Sequence, residues 1–281
     1  IVIASVFGSG TEMDIYLAST TLPFFLITII SGSINLTFIP VFAEYKTNNK
    51  NDLWKVVSSI MNLSVIITLF ISIVVIFGAN SIMSILTPGF SSEEITIGAE
   101  LLRLQILLII FSIVNELMSS VYYSNQKFLT PLLNKLISPI ITITFVLLFK
   151  EVFSIKSIVL ASLLGMFIQT LVLSLGFIKN KTFKYIFVFH YKNPGVKKVF
   201  RLILPLIAGL MLTRIIPIFD RYIASGFDEG SISYLGYSMK IYSMLPAIIS
   251  GGISLSIFPL LSIYVVENNI SKIKETMSKG I

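Results

Sequence analysis

The feature that most constrains this chain is a series of apolar blocks, most of them longer than a globular core requires. They occupy about Ile15 to Phe42, Val56 to Phe77, Ile95 to Tyr123, Leu129 to Phe149, Ile155 to Ile178, Phe200 to Ala224 and Ile232 to Tyr264. Roughly 18 apolar residues in a row are enough for a helix to cross a bilayer. Only 12% of the 281 residues are charged, about half the share usual in soluble domains, and the mean hydropathy is +0.91. A soluble enzyme is excluded on that ground. The strict alternation that marks a transmembrane barrel is absent. Inside lipid, every backbone polar group must find its partner within its own segment. The expected fold is therefore all-α, a polytopic transmembrane helical bundle.

The chain has no cysteine and one histidine, His190, which lies in a basic hydrophilic stretch. Thiolate sites and the common histidine-based metal and acid–base constellations have no material to work with. The expectation is no catalytic residue, no metal and no cofactor. The chain opens at Ile1, inside an apolar stretch to Phe7 that is too short to span and has no basic leader. This reads as an N-terminally clipped first helix, which brings the helix count to about eight.

Orientation follows from where lysine and arginine fall between spans. One set of connections carries Lys46, Lys50 and Lys55; Lys127; Lys179 to Arg201; and Lys272, Lys274 and Lys279. The other carries Lys150 and Lys156 against Glu12, Glu93, Glu94, Glu151, Asp228 and Glu229. The lysine-rich set is placed in the cytoplasm. The net charge of +7 is then mostly topology, so a nucleic-acid partner is not expected. The basic connection from Lys179 to Arg201 interleaves Phe183, Tyr185, Phe187, Phe189 and Tyr191. It reads either as a solvated linker on the inner surface or as a binder of anionic headgroups.

The chain also repeats itself. Ile29 to Pro40 aligns without gaps on Ile248 to Pro259, sharing the Ser31-Gly32 and Ser250-Gly251 steps and the closing proline, and Tyr45 falls on Tyr264. Upstream and one residue out of register, Ile3-Ala4-Ser5 with Phe7 and Gly10 matches Ile223-Ala224-Ser225 with Phe227 and Gly230. Six crossings separate the copies, so the repeats are parallel, related by an axis along the membrane normal. The expected organisation is an N-terminal lobe over residues 1–178, with helices one to six. A basic cytoplasmic linker follows over 179–199, then helices seven and eight of a second lobe over 200–264. Residues 265–281 form a cytoplasmic segment leading to helices beyond the chain.

Charges within the membrane are costly, by about 3 kcal/mol on insertion scales, and mark the bundle interior. Here they are Asp14, Glu100, Arg103, Glu116, Lys135, Arg214, Asp220, Arg221 and Lys240. Arg214 and Lys240 each lie roughly 20 Å from the turn near Asp228, on successive antiparallel helices. Two cations at one depth suit a pyrophosphate, which arginine can grip with a bidentate fork; internal neutralisation is the other reading. Glu116 and Lys135 flank the turn at Lys127 and are expected to pair, in a structural or gating role. Glu100 and Arg103, three residues apart on one helix, can satisfy each other. Asp220 and Arg221 read as a pair near the outer end of helix seven, with a surface pair the simpler reading. Pro23 and Pro40 in helix two, Pro205 and Pro217 in helix seven, and Pro246 and Pro259 in helix eight are candidate kinks. Gly32 and Gly251 allow close helix approach, for packing or as a sliding contact.

In these residues the chain resembles the MurJ/MviN family of lipid-linked precursor flippases, within the superfamily of multidrug, oligosaccharidyl-lipid and polysaccharide exporters. The resemblance rests on Phe7-Gly8, Gly10, Asp14, Leu22-Pro23, Phe38, Pro40 and Ala43-Glu44-Tyr45-Lys46. Further along it rests on Thr87-Pro88-Gly89-Phe90, Gly230 to Tyr237, Lys240, Leu245-Pro246 and Pro259 to Ser262. It covers essentially the whole chain and about the first eight of some fourteen helices. It departs at Ile27-Thr28, where the family carries arginines, at Gly32, where an acid is usual, and at Met239-Lys240, usually aspartate–arginine. The resemblance implies a flippase that carries a polyprenyl-pyrophosphate-linked saccharide across a bacterial cytoplasmic membrane. The resemblance directs Lys240 towards the ligand and matches Asp14 at the outer mouth of helix two, while Arg214 is the candidate companion of Lys240 by depth alone. The departures fit a relative handling lipid II or another cell-surface glycan. Membrane lipids are its surroundings, and a coupling ion is an open partner. Two rivals stand beside this reading: a cation-coupled drug exporter of the same superfamily and a membrane glycosyltransferase. The first predicts a cavity rich in carboxylates and aromatics. The second predicts an acidic cluster on an inner loop, which Glu44, Asp52, Glu267 and Glu275 do not form.

Overall fold

A computed structural model describes residues 2–179, 184–244 and 270–280. Among them every regular element is a helix. Helix α1 covers Val2–Phe7, α2 Thr11–Asn48, α3 Lys50–Leu86, α4 Ser92–Gln105, α5 Leu108–Ser124 and α6 Leu129–Asn134. Then come α7 Ile137–Phe153, α8 Lys156–Lys179, α9 Pro194–Arg214, α10 Ile216–Ala224, α11 described over 231–244, and α12 Ile270–Gly280. Six long apolar helices result once α4 joins α5, α6 joins α7 and α9 joins α10. They match six of the seven expected spans; most of the seventh, to Tyr264, lies outside the described residues.

The helix ends obey local chemistry. Ser91 and Glu94 form a reciprocal capping box at the start of α4. Asn193 accepts the Gly195 N–H at the start of α9, where Pro194 loses no intrahelical bond. Pro23 and Pro40 sit inside α2 without ending it, as does Pro205 in α9. Pro217 acts differently. The helix breaks at Ile215, and Pro217 occupies the first turn of α10, where its missing N–H costs least.

Two compact units divide the chain, residues 1–232 and 233–281. In the first, α2 runs through the middle with α4, α5 and α9 against it, while α7 and α8 pair and join through α5. The pairing is close because of Gly165, where a Cβ would lie 2.9 Å from the Ser138 carbonyl oxygen. Helix α9 belongs to this unit because Val196 and Val199 enter the core formed by Phe38 and Phe42 of α2, Val57 and Ile60 of α3, Leu117 of α5 and Phe177 of α8. Large apolar side chains such as Phe70, Phe77, Leu148 and Val152 point outward, as lipid-facing residues do.

Candidate functional site

Two glycine turns meet at the acidic end of the first unit. One follows α1, where Gly8 has φ +66°; the other follows α10, where Gly230 has φ +88°. A left-handed backbone of this kind favours glycine. These turns belong to the segments related by the repeat, and they bond to each other. The Thr11 N–H and hydroxyl both donate to Glu229 Oε1, at 2.8 and 2.6 Å. These donors hold the Glu229 carboxyl below the usual glutamate range. The Gly230 N–H donates to Asp14 Oδ2 at 2.8 Å, and Asp14 is buried. A carboxylate there also complements the positive end of the helix that starts at 231. The loop after α3 joins the clasp: the Gly89 N–H donates to Ser225 Oγ at 3.3 Å.

Beneath this clasp lies Arg221. It is buried, donates from Nη1 to the Ile232 carbonyl at 3.0 Å, and feels the charges of Asp220 and Asp14. It is an interior group rather than one half of a surface pair. Asp220 Oδ2 and Arg221 Nε are buried with no hydrogen-bond partner among the described residues.

A second polar feature runs between α2 and α5. Ser31 and Ser112 hydroxyls lie 3.4 Å apart, and the Asn35 amide donates to Glu116 Oε1. Ser120 donates to Asn35 Oδ1 at 2.6 Å. Toward the lysine-rich end, Lys46 donates to Asn125 Oδ1 at 2.7 Å. Glu116 sits about 12 Å from the end of α5. The stripe offers hydroxyls, amides and one carboxylate within reach of one another, which is the chemistry of binding a polar group. A companion knot ties α5, α6 and α8: Asn115 donates to Thr170 and accepts from Asn134 at 3.1 Å and Gln169 at 3.3 Å.

Glu116 pairs with Asn35, and Lys135 is exposed at the end of α6; no salt bridge among the described residues joins the two. Glu100 bridges Lys156 of α8 at 2.8 Å, whereas Arg103 donates to the Ile76 carbonyl at 3.3 Å. Each finds a neighbouring helix instead of its companion three residues away. Arg214 is exposed at the last residue of α9, directly before the break at Ile215. Lys240 is exposed on α11, in the second unit. At Gly32 a Cβ would meet Leu210 Cδ1 at 3.2 Å, so this glycine sits where α9 approaches α2. Pro246, Gly251 and Pro259 lie outside the described residues. Among the described residues no cluster of three acidic or histidine side chains could hold a metal ion.

Sequence reasoning passed over Asn35, Ser120 and the amide knot, although a signal was there. Ser112, Glu116, Ser120 and Ser124 recur every four residues and share one helix face.

The sequence model of the family described as Lipid II flippase MurJ matches residues 3–281. A "Probable lipid II flippase MurJ" of Buchnera aphidicola subsp. Acyrthosiphon pisum is 30% identical over 262 residues, covering 91% of this chain and 51% of its own length. One from Vibrio cholerae is 24% identical over 295 residues, with 100% and 56% covered. Among solved structures, a lipid II flippase MurJ in an inward closed conformation superposes with a TM-score of 0.80 at 25% identity, covering all of this chain and 57% of that one. An inward-facing MATE multidrug resistance transporter superposes with a TM-score of 0.78 at 16% identity, a likeness of fold. The chain spans about half the length of the curated relatives it matches.

Proposed function

Because the chain belongs to the MurJ lipid II flippase family, we propose that it carries a polyprenyl-pyrophosphate-linked glycan precursor, lipid II or a related cell-surface unit, from one membrane leaflet to the other by alternating access. The observation that carries this reading is the family match over residues 3–281, together with a shared fold along the whole chain. The clasp of Thr11, Asp14, Gly89, Ser225, Glu229 and Gly230 serves in this reading as the outer closure. It consists of a few hydrogen bonds between turns, which can part without unfolding a helix. The lysine-rich end faces the cytoplasm, and the membrane is the bacterial cytoplasmic membrane. Arg214 and Lys240 are assigned to the pyrophosphate, Asp14 to the clasp, and Gly32 and Pro217 to the movement of α9 against α2. A coupling ion, beside the membrane potential, is a candidate source of the driving force. No covalent step is involved.

The fold likeness to a drug transporter concerns architecture and leaves the cargo to be decided by the site. The test is reconstitution of a protein containing this chain in vesicles loaded with labelled polyprenyl-pyrophosphate glycan. Movement of the glycan between leaflets supports the flippase. Drug efflux without lipid movement supports the exporter, and transfer of sugar from a nucleotide donor supports the glycosyltransferase.

A further inference from the structure

Residues 184–193 form an extended strap that crosses α3 between Ser58 and Asn62 and ends beside Asp52. Tyr185 donates its hydroxyl to Asn62 Oδ1 at 2.7 Å, near one end. The Ile186 N–H donates to Ser58 Oγ at 3.0 Å, the Val188 carbonyl accepts from Asn62 at 3.0 Å, and the His190 N–H donates to Ser59 Oγ at 3.0 Å. At the other end, Phe189, His190, Tyr191, Lys192 and Asn193 line an open cleft with Asp52. Every second residue thus turns its backbone polar group to a helix side chain, as in a strand without a partner strand. Successive side chains of such a segment alternate between faces. Tyr185, Phe187, Phe189 and Tyr191 therefore share one face. They are 50%, 77%, 37% and 60% exposed, and the Phe187 and Phe189 rings pack edge to face at 5.2 Å.

Helix α3 fixes where this face lies. From Leu53 to Val65 no residue of α3 is exposed; from Ile66 onward Ile66, Ile67, Leu69 and Phe70 are. The stretch from Leu63 to Leu86 is about 36 Å long, enough to cross a hydrocarbon core of about 30 Å. Ser58, Ser59 and Asn62 thus stand at the edge of the bilayer, and the strap ends its cover where the lipid-facing surface begins. The charges agree. Lys184 and Lys192 lie on the strap and Lys197 and Arg201 just beyond it, all exposed. The nearby acids are already bridged, Asp52 to Lys55 and Glu44 to Lys198.

We infer that the strap is an interfacial anchor for anionic phospholipid. Phe187 enters the boundary between acyl chains and headgroups. Tyr191 and Lys192, nearer Asp52, lie in the headgroup layer. Aromatic rings favour that depth, and each basic residue near an anionic surface adds attraction. The inference requires only that α3 spans the membrane, and so stands apart from the cargo proposed above.

The test uses the full protein in vesicles of phosphatidylcholine with or without 30% phosphatidylglycerol (roughly the charge density that drives such attraction). Trp54 is replaced by phenylalanine, and a tryptophan is placed at 187 or at 191. Lipids brominated high on the acyl chain should quench Phe187→Trp at least about twofold more than Tyr191→Trp, with deep bromines weaker at both. Phosphatidylglycerol should increase the quenching, and Lys184→Gln with Lys192→Gln should cut that increase by at least about half while leaving the protein's thermal midpoint in place. Strong quenching of Phe187→Trp by aqueous iodide with none by brominated lipid would overturn the anchor in favour of a solvated linker. Equal lipid quenching with and without phosphatidylglycerol would overturn the selectivity for anionic lipid.

Discussion

One carboxylate oxygen of Glu229 accepts two hydrogen bonds from Thr11, one from its backbone N–H and one from its hydroxyl, across 218 residues of chain. The bond joins the two turns that the repeat relates. Because the donors lower the folded pKa of Glu229, its contribution is present above the ordinary glutamate range and is lost as pH falls through the lowered value. A spin label at Ser9→Cys, clean in a chain without cysteine, should be immobile at neutral pH and more mobile in Thr11→Ala. That difference should close on acidification. A difference that persists at low pH would refute the role given to this carboxylate.

Gly89 is confined by backbone rather than by movable side chains. A Cβ there would stand 1.9 Å from the Ser225 carbonyl oxygen and 2.8 Å from Gly226 Cα. Gly89→Ala should separate the two loops and lower stability by about 1–3 kcal/mol, the usual cost of overpacking. Gly78→Ala, where the nearest atom is the flexible end of Ile82 at 3.5 Å, should be close to neutral. Thermal unfolding in detergent compares them.

Removing the amide that faces Glu116 should be felt through the carboxylate left behind. Asn35→Ala should cost about 1–3 kcal/mol. In a double-mutant cycle, Glu116→Gln should recover part of that loss, since a neutral amide tolerates the missing donor better. Strict additivity of the two changes would show that the contact carries no coupling.

At the lysine-rich end, the Tyr45 hydroxyl donates to Asn193 Oδ1 at 2.8 Å and accepts the Gly195 N–H at 2.9 Å. It ties α2 to the start of α9. Tyr45→Phe should destabilise by about 1–2 kcal/mol. Gly195→Ala should do at least as much harm, because its Cβ would lie 2.5 Å from the Tyr45 ring. Proteolysis after the 184–193 strap should accelerate in both variants.

What the sequence made legible depends on the range of the interaction. Bilayer thickness and local hydropathy set the spans, so six could be placed from composition and spacing alone. The two turns of the repeated segments bond to each other, a contact that the repeat by itself does not specify. Partner choice was harder to read. Glu100 meets Lys156 and Glu116 meets Asn35 because helices from distant parts of the chain pack side by side, a fact that sequence spacing does not encode. Pro23 and Pro217 look alike in sequence. Only the second coincides with a helix break, where the chain passes from α9 to α10. The aromatic alternation from Tyr185 to Tyr191 was visible as composition. Its docking depended on Ser58, Ser59 and Asn62, ordinary polar residues inside an apolar helix.

The most direct test of the central claim is the rate at which a labelled polyprenyl-pyrophosphate glycan changes leaflet in vesicles holding a protein with this chain. A flippase that grips the pyrophosphate through Lys240 and Arg214 gives rapid exchange in the parent, a loss of at least about tenfold in Lys240→Ala with Arg214→Ala, from two charge-assisted contacts to phosphate, and unchanged exchange in Asp228→Asn. Parent protein that moves no precursor, or a double variant that moves it as fast as the parent, would contradict it.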